Sequence, residues 1–292
     1  MAKKKRHKHK SDRSGEGSSP PHADLPEDMP SLSSLEKFLS AFGEWGRKRT
    51  PLDEAQDLVY DAWEAGSIEE AVAMAEEALC ICADCADAYN LLAEAADSLE
   101  EATKLYRRGV AAGERALGER TFKEDAGYFW GLIETRPYMR TRAGLAQCLW
   151  MVGQREEAVE HYQDMLRLNP NDNQGIREML MPCLIELGRD EQAEKLFKRY
   201  EEDGMAVWMY SRALLDFRKS GDSAAAGRSL EAAIEENEHV PAYLLGRKRM
   251  PRQLPDYHGF GDENEAIRCT YLCMGAWEAT PRALEWLAAN AA

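Results

Sequence analysis

The feature that most constrains the fold is a spacing of two small residues that recurs four times along the chain. In each case an apolar segment ends at a glycine, and an alanine follows five residues later, early in a second apolar segment. The four pairs are Gly66 and Ala71, Gly153 and Ala158, Gly188 and Ala193, and Gly221 and Ala226. Glycine ends helices because it adopts a left-handed backbone conformation without steric cost. The alanine lets two helices cross closely, so the pattern predicts four helix–turn–helix units.

The distance between these units identifies the architecture. The last three glycines are separated by 35 and 33 residues. A period near 34 residues with two helices in each repeat is that of tetratricopeptide repeats (TPRs). We therefore predict an all-α fold: a TPR-like α-solenoid of antiparallel helix pairs that forms a right-handed superhelix and ends in a C-terminal helical cap.

Composition divides the chain into four parts. Residues 1–30 are rich in basic residues, Ser and Pro and are predicted to be disordered, because they carry too few large apolar side chains to form a core. Residues 31–49 have the periodicity of an amphipathic helix. Residues 50–245 hold the repeats, with an insertion at about 118–136. Residues 246–292 are predicted to form a loop followed by capping helices.

Two local predictions concern the irregular parts of the chain. The insertion is expected to contain a short helix at Tyr128–Ile133. The dipeptide Thr280–Pro281 is expected to begin the last helix, because threonine is a good N-cap and proline is favoured in the first turn.

The expected function is that of a non-catalytic scaffold, which binds a peptide or protein partner in the concave groove of the solenoid. The first helix of each TPR lines that groove, and aromatic and arginine side chains supply much of the energy of protein interfaces. By their position in the repeat, six residues are predicted to line the groove: Tyr60, Arg140, Gln147, Trp208, Arg212 and Arg218.

The charge distribution suggests an alternative partner. Residues 1–13 carry a net charge of +6, which leaves −21 for the other 279 residues because the whole chain carries −15. Such an acidic body would repel phosphate backbones, so only the tail could bind a polyanion. The alternative function is a nucleic-acid-associated adaptor, and the residues that would make the contact are Lys3, Lys4, Lys5, Arg6, Lys8 and Lys10.

A second alternative is a zinc protein. Cys80, Cys82 and Cys85 lie close together in the sequence and include one C-x-x-C pair. A structural zinc site needs four ligands, and the other cysteines and histidines are distant in the sequence. We therefore interpret the cluster as small apolar packing and expect no metal and no cofactor.

The sequence also carries no recognisable catalytic set. His239 and His258 flank the loop at residues 246–261, but no nucleophile with a partner acid can be assigned beside either of them. We therefore do not expect an enzyme. No apolar stretch is long enough to cross a bilayer, and the basic N-terminus lacks the apolar segment of a signal peptide. The expected location is the cytoplasm, without membrane contact.

Two segments resemble a known protein family. They are residues 78–114 (ALCICADCADAYNLLAEAADSLEEATKLYRRGVAAGE) and the series NEHVPAYLLGRKRMP, GDENEAI and ALEWL between residues 237 and 287. Both are similar to the family named for suppression of tumorigenicity, the seventh of its series, and the resemblance extends over roughly residues 52–288. Residues 128–150 resemble bacterial TPR proteins of the same type. The eukaryotic members carry membrane-spanning segments ahead of this region. The resemblance implies the fold and transfers no catalytic residue.

Deletion of residues 1–13 tests the adaptor hypothesis. If the tail binds nucleic acid through its basic side chains, the intact chain binds RNA or DNA at low salt, and the affinity falls steeply as salt is raised. The truncated chain would lose this binding while it keeps its protein partner. Electrophoretic mobility shift at several salt concentrations measures the effect, and an intact chain that binds neither nucleic acid at low salt contradicts the hypothesis.

Overall fold

The structure is a computed structural model that describes residues 31–43 and 48–291, and over that part of the chain every regular element is a helix. A 3₁₀ turn at Ile133–Thr135 precedes α6. The helices are α1 (Leu32–Gly43), α2 (Pro51–Ala62), α3 (Ile68–Ile81), α4 (Ala86–Glu94), α5 (Leu99–Glu124), α6 (Arg136–Met151), α7 (Arg155–Leu168), α8 (Ile176–Glu186), α9 (Asp190–Arg199), α10 (Ala206–Ser220), α11 (Ala224–Glu236), α12 (Val240–Leu244), α13 (Glu263–Ala279) and α14 (Ala283–Asn290). The all-α prediction is confirmed.

Short polar side chains begin several of these helices. Thr50 and Asp53 form a reciprocal capping box at the start of α2, in which each side chain bonds to the backbone amide of the other residue. Ser67, Ser98 and Ser223 cap α3, α5 and α11 by accepting the amide of the residue three positions later. These bonds satisfy amide groups that have no partner within the helix. Local sequence therefore fixes where these four helices begin.

The glycines at the turns between paired helices have the predicted positive φ at three of the four positions. Gly153, Gly188 and Gly221 have φ values of 84°, 69° and 64°, in the region that residues with a Cβ rarely enter. Gly66 does not belong to the glycines with positive φ, so the prediction is wrong there. Its amide instead donates to the Glu70 carboxylate at 3.2 Å. At the first turn, a hydrogen bond to the Glu70 side chain of α3 therefore takes the place of a glycine with positive φ.

The helices form five successive pairs: α2 with α3, α4 with α5, α6 with α7, α8 with α9, and α10 with α11. The second helix of one pair packs on the first helix of the next, as α3 does on α4, α5 on α6 and α7 on α8. First helices also contact one another, α2 with α4, α4 with α6, and α8 with α10. We call the surface formed by α2, α4, α6, α8 and α10 the inner face.

The prediction of a short helix at Tyr128–Ile133 is wrong. Helix α5 continues to Glu124, with a break at Gly118, and turns follow until the 3₁₀ segment. Phe129 is buried and its amide donates to the carbonyl of Leu168 at 3.2 Å, so this turn is held against the end of α7. A buried aromatic residue stabilises the segment without a helix.

The prediction for the last helix is also wrong. Thr280 follows the end of α13, where its hydroxyl donates to the carbonyl of Ala276 at 2.9 Å. Arg282, with φ 65°, then precedes α14, which starts at Ala283. The last helix therefore starts later than Thr280–Pro281 predicted, because the Thr280 hydroxyl is used by the preceding helix.

Helices α5 and α6 approach closely at Gly144. A Cβ atom at this position would overlap the ring of Tyr106, which is buried. The aromatic side chain on one helix and the missing side chain on the other are therefore complementary.

Gly144→Ala tests this close approach. The added methyl group collides with the Tyr106 ring, so we expect a loss of about 1–3 kcal/mol of unfolding free energy, as in other overpacked cores. Gly227→Ala in α11 is the matched control, because nothing lies within 4 Å of a Cβ there. That variant gains about 0.5–1 kcal/mol from helix propensity. Urea denaturation measures both, and an equal gain in the two variants contradicts the proposed packing.

Candidate functional site

The inner face is covered differently in its two halves. In the C-terminal half, α13 packs against both α8 and α10. The amide of Ala206 donates to the Glu265 carboxylate at 3.0 Å, and Ser211 Oγ lies 3.8 Å from Cys273 Sγ. All four of these residues are buried. Helix α13 is thus a buried part of the core on this half of the face.

The N-terminal half is centred on Arg140 of α6. Its Nε and Nη2 atoms donate to the two carboxylate oxygens of Asp87 on α4, at 3.0 and 2.5 Å. The Gln56 amide on α2 donates to the same carboxylate at 2.9 Å. Asp87 is fully buried. A buried carboxylate is tolerated when bonds to charged or polar donors offset the loss of hydration, so this contact ties three first helices together.

Helix α1 contributes a second carboxylate to Arg140. Glu36 is only 5% exposed, and it accepts one hydrogen bond from Arg136 and one from Arg140, each at 2.8 Å. Arg140 therefore lies between two acids, one from the repeats and one from α1. We call the set of Glu36, Gln56, Asp87, Arg136 and Arg140 the Arg140 cluster.

Aromatic rings flank the two arginines. The Arg140 guanidinium lies 5.1 Å from the centre of the Trp63 ring, and that of Arg136 lies 5.4 Å from the Trp130 ring. Such cation–π contacts stabilise a charge that is partly removed from water. The buried Tyr60 lies nearby, and burial, followed by the charge of Asp87, raises the pKa of its hydroxyl. It remains a neutral group at physiological pH.

A cavity of about 600 Å³ adjoins the Arg140 cluster, and it is lined by Gln56 of the cluster and by the neighbouring Tyr60. Its walls come from α1, α2, α5, the start of α6 and the turn before α6. Leu39, Leu52, Leu117, Leu132 and Ile133 form the apolar part of the wall. The acidic residues Asp53, Asp84 and Glu134 also border the cavity, and the Asp84 carboxylate is paired with Arg115 at 2.8 Å. The space combines an apolar lining with an acidic border, and it has room for one or two large side chains.

The structure brings part of the sequence-predicted groove together. Tyr60 and Arg140 meet at the Arg140 cluster, as described above. Gln147 is half-buried and lies seven residues after Arg140, on the same side of α6. These three residues therefore belong to the N-terminal half of the inner face.

The other three predicted residues make contacts within the fold. Trp208 is buried, with its ring centre 4.8 Å from that of Phe197 on α9. Arg212 donates to Glu194 on α9 at 3.0 Å. Arg218 donates to Asp190 on α9 at 3.1 Å and to the Thr280 hydroxyl at 3.0 Å. All three lie where α9 and α10 meet, or where α10 meets the end of α13.

The sequence prediction missed Glu36, Gln56, Asp87 and Arg136. For Asp87 a signal existed, since a charged residue stands in the first turn of α4 among the apolar residues Ala86, Ala88 and Tyr89. Glu36 had no comparable signal, because an acid on a short amphipathic helix is normally exposed to water. Its partners are 100 and 104 residues away in the sequence, beyond the reach of any local pattern.

The three neighbouring cysteines do not meet in a metal-binding arrangement. Cys80 is exposed, Cys85 is buried, and no group of three or more potential ligands lies together within the described residues. Burial, followed by the charge of Asp87, raises the pKa of the Cys85 thiol to about 12. The thiolate is the form that binds metal, so this environment disfavours coordination.

Two further expectations concern binding of nucleic acid by the tail and contact with a membrane. The tail residues Lys3, Lys4, Lys5, Arg6, Lys8 and Lys10 lie outside them, so binding of nucleic acid through the tail stays a prediction. None of the helices described for residues 31–43 and 48–291 combines the length and the apolar character that crossing a membrane requires.

Comparison with known proteins supplies a family match. The family described as "ST7 protein" matches residues 48–290. The "Protein ST7 homolog" of Drosophila melanogaster is 28% identical over 264 residues, which cover 80% of this chain and 48% of that protein. The "Suppressor of tumorigenicity 7 protein" of Macaca fascicularis is 30% identical over 230 residues, which cover 70% and 42%. The chain spans less than half the length of these relatives.

Among solved structures, the chain is similar to YrrB, described as a TPR protein with an unusual peptide-binding site. The TM-score is 0.46 at 22% sequence identity, and the match covers 68% of this chain and 91% of that one.

Arg140→Met tests the importance of the central ion pair. The substitution leaves Asp87 buried without its charged partner, so we expect a loss of about 3–5 kcal/mol of unfolding free energy. Arg107→Met is the control, because the pair of Arg107 with Glu157 is partly exposed and contributes about 0–1 kcal/mol. Chemical denaturation measures both variants.

A double-mutant cycle strengthens this test. If Arg140 and Asp87 stabilise each other, combining Arg140→Met with Asp87→Asn costs less than the two single losses added together. Additive losses would show that the two residues do not interact in solution.

Proposed function

The chain belongs to the ST7 protein family, and we propose that it is a protein-interaction scaffold that holds a partner segment on the N-terminal half of its inner face. The observation that carries the proposal is the apolar cavity beside the Arg140 cluster. Apolar concave surfaces with a few fixed polar groups are the usual form of a binding site. Here the fixed polar groups come from α2, α4 and α6.

The C-terminal half of the inner face is not part of the proposed site. Helix α13 contacts α8 and α10 along this half, and Trp208 and Arg212 are used by contacts with α9. A partner would have to displace part of the core to reach these helices. Tyr60, Arg140 and Gln147 are the sequence-predicted residues that we retain as contacts for the partner.

Charge favours a protein segment as the bound molecule. Asp53, Asp84 and Glu134 border the cavity, and the chain after residue 13 carries a net charge of −21. Phosphate groups would be repelled from such a surface. The apolar lining, in contrast, suits large aliphatic or aromatic side chains, whose removal from water stabilises a complex.

Blocking the cavity tests the proposal. Ala116 is exposed on α5 and borders the cavity, so Ala116→Trp places a large ring at the mouth without removing a buried contact. We expect captured partner to fall by about tenfold or more, because the ring clashes with the bound segment. Affinity purification of the full chain with quantitative mass spectrometry measures the loss.

Ala225→Trp on α11 is the matched control, since Ala225 is also an exposed helical alanine but lies on a second helix far along the chain from the cavity. This variant should capture the same proteins as the wild type. If Ala116→Trp also captures the wild-type set in full, the partner does not use the cavity and the proposal is wrong.

A further inference from the structure

Helix α1 is held on the inner face in an unusual way for an amphipathic helix. Three of its large apolar side chains remain accessible, with Leu35 42%, Phe38 63% and Leu39 39% exposed. Among the described side chains of α1, the buried one is the charged Glu36. Apolar surface that stays in water contributes no hydrophobic stabilisation, so among the described side chains of α1 the Glu36 carboxylate makes the most deeply buried contact.

Two other polar contacts of the α1 segment lie at its solvent-exposed edge. Lys37 pairs with Asp61 of α2, and the two side chains are exposed by 37% and 54%. Ser31 Oγ donates to Glu64 at 2.5 Å, also at an exposed position. Exposed ion pairs of this kind contribute little to stability. Of these polar contacts, the buried one made by Glu36 is therefore the strongest.

The cavity shows that α1 fills its position incompletely. Leu39 and Ser40 follow Glu36 by three and four residues, which places them on the same side of α1, and both border the cavity. Serine is too short to occupy a space of about 600 Å³. A helix with the same carboxylate and a larger apolar side chain at the position of Ser40 would keep the bonds to Arg136 and Arg140 and fill the cavity as well.

We propose that α1 is an internal ligand, which a helical segment of a partner protein displaces when that segment carries an acidic residue followed four residues later by a large apolar one. The acid takes the place of Glu36 between Arg136 and Arg140, and the apolar side chain enters the cavity. This inference rests on the proposed function and adds to it the class of partner and the means by which the free chain keeps the face covered.

The test uses the full chain and two synthetic peptides. The first has the sequence of residues 31–43 with Ser40→Leu, and the second also carries Glu36→Gln. Their affinities are measured by fluorescence anisotropy for three proteins: the wild type, Glu36→Gln, and Glu69→Gln, a control at an exposed glutamate on α3. Circular dichroism checks that each protein is folded.

In the Glu36→Gln protein α1 is released from the inner face. The first peptide should therefore bind this protein about tenfold more tightly than it binds the wild type, because a larger fraction of the molecules has the face free for binding. The Glu69→Gln protein should match the wild type. The second peptide, which lacks the carboxylate, should bind the Glu36→Gln protein at least about tenfold more weakly than the first.

A second measurement does not depend on a variant of the protein. Saturating the wild-type chain with the first peptide should increase amide hydrogen exchange in residues 32–43, because α1 leaves the face when the peptide occupies it. Exchange in α10 should not change.

Three results would overturn the inference. Equal affinity of the first peptide for wild type and Glu36→Gln means that α1 does not compete for the face. Failure of both proteins to bind the peptide excludes an acidic helix as the partner, while the capture experiment with Ala116→Trp still decides whether another segment uses the cavity. If the wild-type chain forms a dimer and Glu36→Gln abolishes it, the face binds α1 of a second copy instead.

Discussion

Arg140 carries a permanent charge into the N-terminal half of the inner face, and the surrounding helices are arranged to keep it paired. Its bidentate contact with Asp87 joins α6 to α4, Gln56 extends the contact to α2, and Glu36 brings in α1. Burial opposes the charged form of Arg140, yet Asp87 and Glu36 outweigh it and raise the pKa of the guanidinium. Because an unpaired buried charge costs several kcal/mol, these helices cannot shift independently of one another.

The two additional helices on the inner face are held by different forces. Helix α13 is embedded through buried apolar residues such as Ile267, Cys269 and Trp277. Helix α1 is attached through one buried carboxylate, while its described large apolar side chains remain partly in water. The stabilisation from hydrophobic burial grows with the buried area and is lost only when the core opens. A single charged contact, in contrast, can be exchanged for an equivalent contact. This difference is why the proposed site lies in the N-terminal half.

The helix pairs could be predicted because their signals are local. Gly153, Gly188 and Gly221 have the positive φ values that the spacing predicted, and serines begin three of the second helices. The faces of the helices were harder to assign. Trp208 and Arg212 were predicted to line the groove on the assumption that one side of α10 is open. In the structure α10 is buried on several sides, because α13 covers it in addition to its neighbours in the repeats.

The sequence by itself determined the fold class, the period of the repeats and the turns, because these depend on backbone conformation and on the spacing of apolar residues within about 35 residues. Only the tertiary structure decided which helix covers each half of the inner face and by which contacts. Glu36 meets Arg140 across 104 residues, and α13 reaches back to α8 across more than 70 residues. Such contacts are determined by the path of the whole chain and by the requirement that buried charges be paired, and no short stretch of sequence contains that information.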